Sequence, residues 1–232
     1  MHVVPSASST QDLARQSKDI PSAWAAEIQS AGRGRQGHGW VSDRPLGLWC
    51  SVVLEPEAHQ LPILSILGSL AAADAVRALT GCETTLKWPN DLLHKNRKLA
   101  GLLVETVARP GRLPLAILGL GLNLCQQAGD FRHDLKTIAV SLRQASGQSV
   151  PRAQMMAAFL DSLTRRLTQT PSEILEDFRA YWGQAGRAVQ ICSGEEKLQG
   201  LAERVDEAGH LHLRLADGST RVFASAEVDF PA

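Results

Sequence analysis

The sequence predicts an α+β fold, with a larger domain built on a mixed sheet and a small antiparallel β module after it. Apolar runs of strand length alternate with helical patterns up to about residue 182. From residue 188 the chain changes to short β-like runs separated by turn residues. The length of 232 residues suits one sizeable domain with a smaller companion. We place the boundary near residue 185, which divides the chain into domains 1–185 and 186–232.

The first part of the larger domain contains two helical and two strand patterns. Ser9 to Asp12 has the spacing of a capping box ahead of a short helix. A long alanine-rich run over residues 63–79, closed by Gly81, predicts a buried helix. Residues 23–28 and 47–54 have the length and composition of strands.

The rest of the chain adds further strands and two helices. Strands are predicted over residues 85–89, 98–107 and 113–120. Helices are predicted over residues 151–167 and 171–182, the second with Thr170 as its cap and Pro171 in its first turn. The β module is predicted to contain strands 188–192, 197–205, 211–215 and 220–224, with turns at Gly194, Gly209 and Gly218. Short strands separated in this way are typical of a small barrel.

Composition and charge exclude several classes of function. Apolar residues make up 44% of the chain and charged residues 21%, which are values of a folded globular protein. The 24 Lys and Arg balance the 24 Asp and Glu, so no chain-wide field attracts nucleic acid or an anionic membrane, and any anion site must be local. We find no signal peptide and expect no membrane span, because polar residues interrupt the run 63–78. The cytoplasm is therefore the expected location, and four scattered cysteines without a CxxC pair predict reduced thiols.

A glycine- and arginine-rich loop covers residues 32–40. Four glycines in eight residues disfavour regular structure and leave the backbone free to wrap around a ligand. Arg33 and Arg35 offer forked donors that suit a phosphate or a carboxylate. A flexible surface loop kept soluble by its arginines is the alternative interpretation of the same residues.

A second cluster joins residues 87–91 to residues 97–101. Pro89 ends a strand where Asn90 and Asp91 follow, and Lys98 returns on the neighbouring strand after a turn through Lys95 and Asn96. Such a hairpin places an amide, a carboxylate and an ammonium group near one ligand, a set that can hold magnesium and a triphosphate. An ordinary Asn-Asp turn with solvated lysines is the alternative.

A third motif, Gly119 to Asn123, lies at the end of an apolar strand. It matches half of a dinucleotide-binding fingerprint, but Leu124 occupies the third glycine position and no convincing helix follows. A Rossmann interpretation therefore fails on context. We expect the glycines to admit a flat ligand.

In order and spacing, these motifs resemble those of biotin protein ligase. The matching segments are Ser9-Thr10-Gln11, Gln29, Gly32-Arg33-Gly34-Arg35-Gln36-Gly37, Trp40, Lys87-Trp88-Pro89-Asn90-Asp91, Arg97-Lys98-Leu99-Ala100-Gly101 and Gly119-Leu120-Gly121-Leu122-Asn123. The resemblance runs from about Ser9 to the end of the chain. It implies a catalytic domain related to class II aminoacyl-tRNA synthetases and a small C-terminal SH3-like barrel.

The resemblance also has limits. Family members that repress transcription carry a winged helix-turn-helix first, and only eight residues precede Ser9, so we expect the form without a DNA-binding domain. Gln11 replaces the family's asparagine, and His38 replaces its second arginine after the glycine loop. Ser225-Ala226-Glu227 replaces serine-glycine-glutamate. A neutral His38 would give less charge for phosphate.

The resemblance implies a role for each matching residue. Biotin would be bound by Ser9, Thr10, Gln11, Gln29, Arg33, Gly34, Arg35, Lys98 and Gly101. ATP and the adenylate would be bound by Arg33, Arg35, Trp40, Asn90, Lys98 and Asn123, with Trp40 stacking on adenine and Asn123 reading its edge. Lys98, Arg35 and Asp91 would be catalytic, and Asn90 and Asp91 would contact a metal ion or the triphosphate.

The activity implied is that of an AMP-forming ligase, biotin–[biotin carboxyl-carrier protein] ligase. It would use biotin, ATP and Mg²⁺ to form biotinyl-5′-AMP and would transfer biotin to a lysine of a carrier domain of a carboxylase. A homodimer is an open alternative to a monomer, because family members often pair through an exposed sheet. Two other functions also stay open. One is a lipoate ligase, although its arginine-serine-glycine-glycine-glycine signature is absent, and the other is a non-catalytic biotin or adenylate sensor.

Overall fold

The computed structural model describes residues 1–193 and 196–230. Its strands are β1 His2–Ala7, β2 Ser22–Gln29, β3 Gly47–Leu54, β4 Thr85–Lys87, β5 Asp91–His94, β6 Arg97–Arg109, β7 Arg112–Asn123, β8 Ala188–Ser193, β9 Glu196–Val205, β10 Leu211–Arg214, β11 Thr220–Phe223 and β12 Glu227–Asp229. Its α-helices are α1 Thr10–Arg15, α2 Leu64–Thr80, α3 Leu142–Ser146, α4 Arg152–Arg166 and α5 Pro171–Tyr181.

Seven strands form a mixed sheet in the order β1-β2-β3-β7-β6-β5-β4. The β1–β2 pair is parallel, and the other neighbouring pairs are antiparallel. The predicted mixed sheet is therefore confirmed. The long β6–β7 hairpin turns at Gly111, where φ is +68°, a conformation that glycine adopts without strain.

One face of this sheet is covered by α2, α4 and α5, which enclose the main hydrophobic core. Gly68 lets α2 approach closely, since a Cβ there would lie 2.5 Å from Leu102 Cδ2. The stretch Leu61–Thr80 is apolar enough to span a membrane, with a mean hydropathy of 1.5, but 67% of it is buried inside the protein. We therefore interpret it as the core helix that the sequence predicts.

The opposite face of the sheet carries only a small apolar cluster. Ala14 of α1 packs there against Val53 of β3 and Ile117 of β7. Alternate residues of a strand share a face, so Ser51, Gly119 and Gly121 lie on this side of the sheet. That part of the face is left for the functional site.

Five strands form a second sheet in the order β11-β10-β9-β8-β12. Among the described residues, no hydrogen-bonded ladder joins β11 to β12, so the predicted barrel is not closed. The predicted turn at Gly194 lies outside the described residues. The division into two domains at residue 185 stays a prediction, because the main core includes residues from both sheets.

The sequence patterns missed four short elements. β1 is an edge strand that contains Pro5, a residue that strand patterns normally exclude and that edge strands tolerate. β5 and β12 have four and three residues, too few for a visible alternation. α3 has five residues and is fixed by a capping box between Ser141 and Gln144.

The cysteines are all free, as predicted.

A buried guanidinium joins the three helices of the core. Arg166 of α4 donates from Nε to Asp74 Oδ2 of α2 at 2.7 Å and from Nη1 to Asp177 Oδ2 of α5 at 2.7 Å. Ser162 Oγ also donates to Asp74, at 2.7 Å. Burial lowers the pKa of Arg166, but the two carboxylates outweigh this effect and raise it overall.

Replacing Arg166 with alanine should lower the free energy of unfolding by about 3 kcal/mol, because the mostly buried Asp74 loses its counter-charge and the half-exposed Asp177 loses a partner. Urea denaturation measures this change. Arg165→Ala is the matched control, since Arg165 is exposed on the same helix. Equal unfolding midpoints for the two variants would show that the network contributes nothing.

Candidate active site

The floor of the candidate site consists of glycines on β6 and β7. Gly101 and Gly121 are register partners, and Gly119 lies two residues along β7 on the same face. A Cβ on Gly121 would lie 2.5 Å from Trp40 Cε2, and one on Gly119 would lie 3.2 Å from Gln11 Nε2. The glycines therefore admit protein side chains to the sheet, and the expectation that they also admit a flat ligand stays a prediction.

A cavity of about 360 Å³ lies over this floor. Residues of every predicted motif line it: Ser9, Thr10, Gln11, Gln29, Arg33, Gly34, Arg35, Trp40, Asn90, Asp91, Lys98, Gly101, Gly119 and Gly121. Of the predicted site residues, Asn123 alone does not belong to this lining. Segments separated by up to about a hundred residues in the chain thus meet at one place.

Neutral hydrogen-bonding groups occupy one row of the cavity. Thr10, at the start of α1, donates its backbone N–H to Gln29 Oε1 at 2.7 Å, and its hydroxyl lies 2.8 Å from Ser51 Oγ. Gln11 Nε2 donates to the Leu103 carbonyl at 3.3 Å. Gln11 Oε1 is buried and has no hydrogen-bond partner within residues 1–193 and 196–230. This row therefore keeps one acceptor that a ligand N–H can satisfy.

Charged groups occupy the next row. Lys98 Nζ lies 2.7 Å from Asp91 Oδ1 and 5.4 Å from the centre of the Trp40 ring. It lies beside Gly101, because a Cβ on that glycine would be 3.3 Å from Nζ. The Gly119 and Gly121 positions are one side-chain repeat apart, about 7 Å along the strand. The cavity thus changes from neutral to charged over about that distance.

Arg35 brings a second cation to the charged row. Its Nη1 donates to Asn90 Oδ1 at 3.2 Å. Burial lowers the pKa of the Arg35 guanidinium, and the carboxylates of Asp91 and Glu227 oppose part of that shift. Since arginine side chains are not deprotonated in proteins, Arg35 keeps its charge and presents it with part of its hydration already removed.

The loop that carries the arginines is more regular than its glycines predict. Arg33 and Gly39 form an antiparallel bridge, and a short 3₁₀ turn covers Arg35–Gly37. Arg33 Nη2 lies 2.7 Å from Asp12 Oδ1 and 3.6 Å from Glu105 Oε2. Ion pairs with α1 and β6 thus hold the first arginine, and Arg35 is the one that reaches Asn90.

Residues of the C-terminal sheet complete the rim of the cavity. Sequence analysis did not predict this contribution. Arg35 donates to the Ala226 carbonyl at 3.3 Å and to the Ser225 hydroxyl. His38 Nε2 lies 2.7 Å from Glu227 Oε1, and Lys87 Nζ lies 2.9 Å from Asp229 Oδ1. His38 therefore faces a carboxylate. The resemblance to serine-glycine-glutamate at residues 225–227 was the available signal for this contact.

A second cavity of about 220 Å³ adjoins the first. The two share Gly39, Trp40, Lys98 and Ile138, so the Trp40 indole is a common wall. Asn123 lines this second cavity, but its amide already has partners. Its Nδ2 donates to the Val140 carbonyl at 3.3 Å and its Oδ1 accepts from Gln126 Nε2 at 3.1 Å.

The oxygen ligands for a metal ion are few. Among the described residues, no group of three or more His, Cys, Asp and Glu side chains is arranged to hold one. Asp91 offers a carboxylate in the cavity, and Asn90 Oδ1 accepts from Arg35. Mg²⁺ commonly uses one or two carboxylates together with substrate phosphates and water, so this set fits a magnesium ion that arrives with a nucleotide.

Comparison with known proteins identifies the family. The model of the biotin/lipoate A/B protein ligase family matches residues 3–123. The chain belongs to that family. The model of the biotin protein ligase C-terminal domain matches residues 185–230. The predicted resemblance to biotin protein ligase is confirmed.

Individual relatives agree with this result. The bifunctional ligase/repressor BirA of Bacillus spizizenii is 32% identical over 88% of this chain, which spans 64% of that relative's length. The biotin–[acetyl-CoA-carboxylase] ligase of Paracoccus denitrificans is 30% identical, with 90% of both chains covered. The structure of biotin protein ligase from Aquifex aeolicus in complex with biotin and ATP has a TM-score of 0.82 and 25% identity, covering 99% of this chain and 96% of the other.

Gly121→Ala should displace the Trp40 ring and lower the free energy of unfolding by about 1–3 kcal/mol, because the new methyl group overlaps a rigid indole. Urea denaturation and near-UV circular dichroism measure the two effects. Gly119→Ala is the control, since its nearest neighbour is the movable end of Gln11. If both variants gave the near-UV spectrum of the parent protein, the Trp40 ring would not pack against Gly121.

Proposed function

We propose that the chain is an ATP-dependent, AMP-forming biotin–protein ligase. It activates biotin to biotinyl-5′-AMP and transfers biotin to a lysine of a biotin carboxyl carrier domain. The observation that carries this proposal is the change from neutral to cationic groups across one cavity. A ligand with a polar neutral ring and an acid group on an aliphatic chain matches both rows.

The neutral row suits the ring urea of biotin. Thr10, Gln11 and Gln29 lie there together with Ser9. In the part of the chain that the structure describes, Gln11 Oε1 is a buried acceptor without a partner, and a urea N–H is a donor that can satisfy it. The carboxylate of biotin then lies toward Lys98 and Arg35, and the glycine floor makes room for the chain between them.

The first reaction step brings two anions together. The carboxylate oxygen of biotin attacks the α-phosphorus of ATP and expels pyrophosphate. Lys98 and Arg35 lie where they offset the repulsion between these groups and the charge that develops in the transition state. Asn90 and Asp91 are the residues that would hold a magnesium ion bound with the triphosphate, and such an ion would supply further positive charge.

The second step transfers the acyl group. A neutral lysine amine of the carrier attacks the acyl carbon, a C–N bond forms, the C–O bond to the phosphate breaks, and AMP leaves while the nitrogen releases a proton to solvent. Asp91 holds Lys98 at 2.7 Å and is placed to orient the incoming amine. The loop of residues 32–40, closed against the C-terminal sheet, excludes water from the labile mixed anhydride.

Relatives named biotin–[acetyl-CoA-carboxylase] ligase support the choice of acceptor. We propose a biotin carboxyl carrier domain of a carboxylase as the partner and the cytoplasm as the location. A second copy of the chain is not required, because all the groups used in the two steps come from one chain.

A reaction with biotin, MgATP and a carrier domain tests the proposal, with the mass of the carrier and released pyrophosphate as readouts. We expect the carrier to gain one biotinyl group and pyrophosphate release to depend on biotin. Lys98→Ala should slow this release at least about a hundredfold, because it removes a cation from the transition state. Lys95→Ala, on the exposed turn of the same hairpin, should keep the parent rate.

Two outcomes would count against this assignment. Biotin binding without pyrophosphate release would identify a sensor instead of a ligase. A Lys98→Ala rate within a few-fold of the parent rate would remove Lys98 from the chemistry.

Arg35→Ala should leave the fold intact and let biotinyl-adenylate escape, because the loop loses its contacts with Asn90, Ser225 and Ala226. Biotinylation of lysines on an unrelated protein in the same solution should then rise, as mass spectrometry can measure. Arg143→Ala, at an exposed position of α3, is the control. An unchanged distribution of biotinylated lysines in Arg35→Ala would contradict a retaining role for Arg35.

A further inference from the structure

The second cavity has mainly apolar walls. Trp40, Trp49, Phe131, Leu135 and Ile138 line it, and Lys98 lies at its junction with the first cavity. If the phosphates of the nucleotide lie near Lys98, this cavity is the adjoining space that suits a flat aromatic base. Its polar side chains then decide which base is accepted.

Gln126 is a polar side chain of this cavity with a fixed backbone. It is 7% exposed, and Ser141 Oγ donates to its carbonyl at 2.6 Å. It follows β7 by three residues, in a segment that adds no regular secondary structure. Its position is therefore held by contacts and not by a helix or strand.

A chain of hydrogen bonds fixes the orientation of the Gln126 amide. Asn123 Nδ2 faces two backbone carbonyls, of Val140 at 3.3 Å and of Lys98 at 3.5 Å, so this end must be the NH₂ group. Asn123 Oδ1 then faces Gln126, which presents its own NH₂ at 3.1 Å. What remains at the other end of Gln126 is the oxygen Oε1.

Gln126 Oε1 is buried and has no hydrogen-bond partner among the described residues. The Trp40 Nε1 atom also has no partner in the described part of the chain, but it lies against Gly121 on the floor of the first cavity. The carboxylate of Asp130 on the same cavity is paired with Arg44. Gln126 thus holds an acceptor that a ligand donor can satisfy in place of water.

We propose that Gln126 selects adenine by accepting a hydrogen bond from its exocyclic amino group. This inference rests on the proposed function, since it assigns the base of the nucleotide that the ligase uses. Adenine carries an N6–H₂ donor at the edge where guanine carries the O6 acceptor. A 6-oxo base would place an acceptor against Gln126 Oε1. The Gln126 amide cannot rotate to present its NH₂ group instead, because that group donates to Asn123 Oδ1.

The first test uses the unaltered protein with ATP, inosine triphosphate and purine riboside triphosphate, which lacks the amino group. Biotin-dependent pyrophosphate release gives kcat/KM for each nucleotide. We expect ATP to be preferred over both analogues by at least about tenfold, because each analogue leaves the buried acceptor unsatisfied. Equal values for ATP and purine riboside triphosphate would overturn the proposal without any variant.

The second test uses Gln126→Met, which keeps the length of the side chain and removes the acceptor. The ratio of kcat/KM for ATP to that for purine riboside triphosphate should fall to near one, mainly through the loss with ATP. Gln127→Met, at the neighbouring exposed position, should keep the parent ratio. A general structural defect lowers both rates, whereas a lost amino contact changes the ratio. An unchanged ratio in Gln126→Met would overturn the proposal.

Calorimetric titration separates this inference from the proposed function. The parent protein should bind ATP more tightly than purine riboside triphosphate, and Gln126→Met should bind both alike. A preference in binding without any biotin-dependent pyrophosphate release would support Gln126 and reject the ligase. Release without a preference in either assay would support the ligase and reject Gln126.

Discussion

The absence of side chains at three positions of one hairpin is the constraint on which the site depends. Gly101, Gly119 and Gly121 share a face of β6 and β7, and the Trp40 ring, the Gln11 amide and the Lys98 ammonium rest against them. Larger residues there would lift these groups off the sheet. The same strands turn their other face to the helical core, where Leu102 and Leu118 pack against α2. One hairpin therefore packs against the core on one face and sets, on the other, how close the side chains of the site lie to the sheet.

The C-terminal sheet takes part in the site as well as in the core. Ser225 and Ala226 accept from Arg35, and Glu227 and Asp229 face His38 and Lys87. These contacts join the arginine loop and the Lys87–Asp91 segment to a part of the chain more than a hundred residues later. The loop of residues 32–40 contacts Asp12 on one side of the cavity and residues 225–227 on the other. It is therefore fixed over the cavity at both ends, although its glycines imply a freer backbone.

Most of the fold and most of the residues that line the first cavity could be predicted from sequence. The long elements have a clear repeat of apolar residues, and the order of the motifs indicates which segments meet. β3 and α2 occur within one residue of their predicted limits. β5 and β12 were missed because strands of four and three residues are too short to show an alternation of apolar and polar residues. The partners of Asn123 could not be predicted, since two backbone carbonyls and Gln126 meet it only in the folded chain. The same holds for Arg33, whose pairing with Asp12 and Glu105 depends on the position of α1 relative to the loop.

The Trp40 indole is a common wall of two adjoining chambers and belongs to the lining of both. Any occupant that shifts this ring changes the shape of the neighbouring chamber. By thermodynamic reciprocity, the factor by which one occupant alters the affinity for the other is the same in both directions. In the proposed function the two chambers receive different ligands, and this shared wall would then link the affinity for one ligand to the presence of the other.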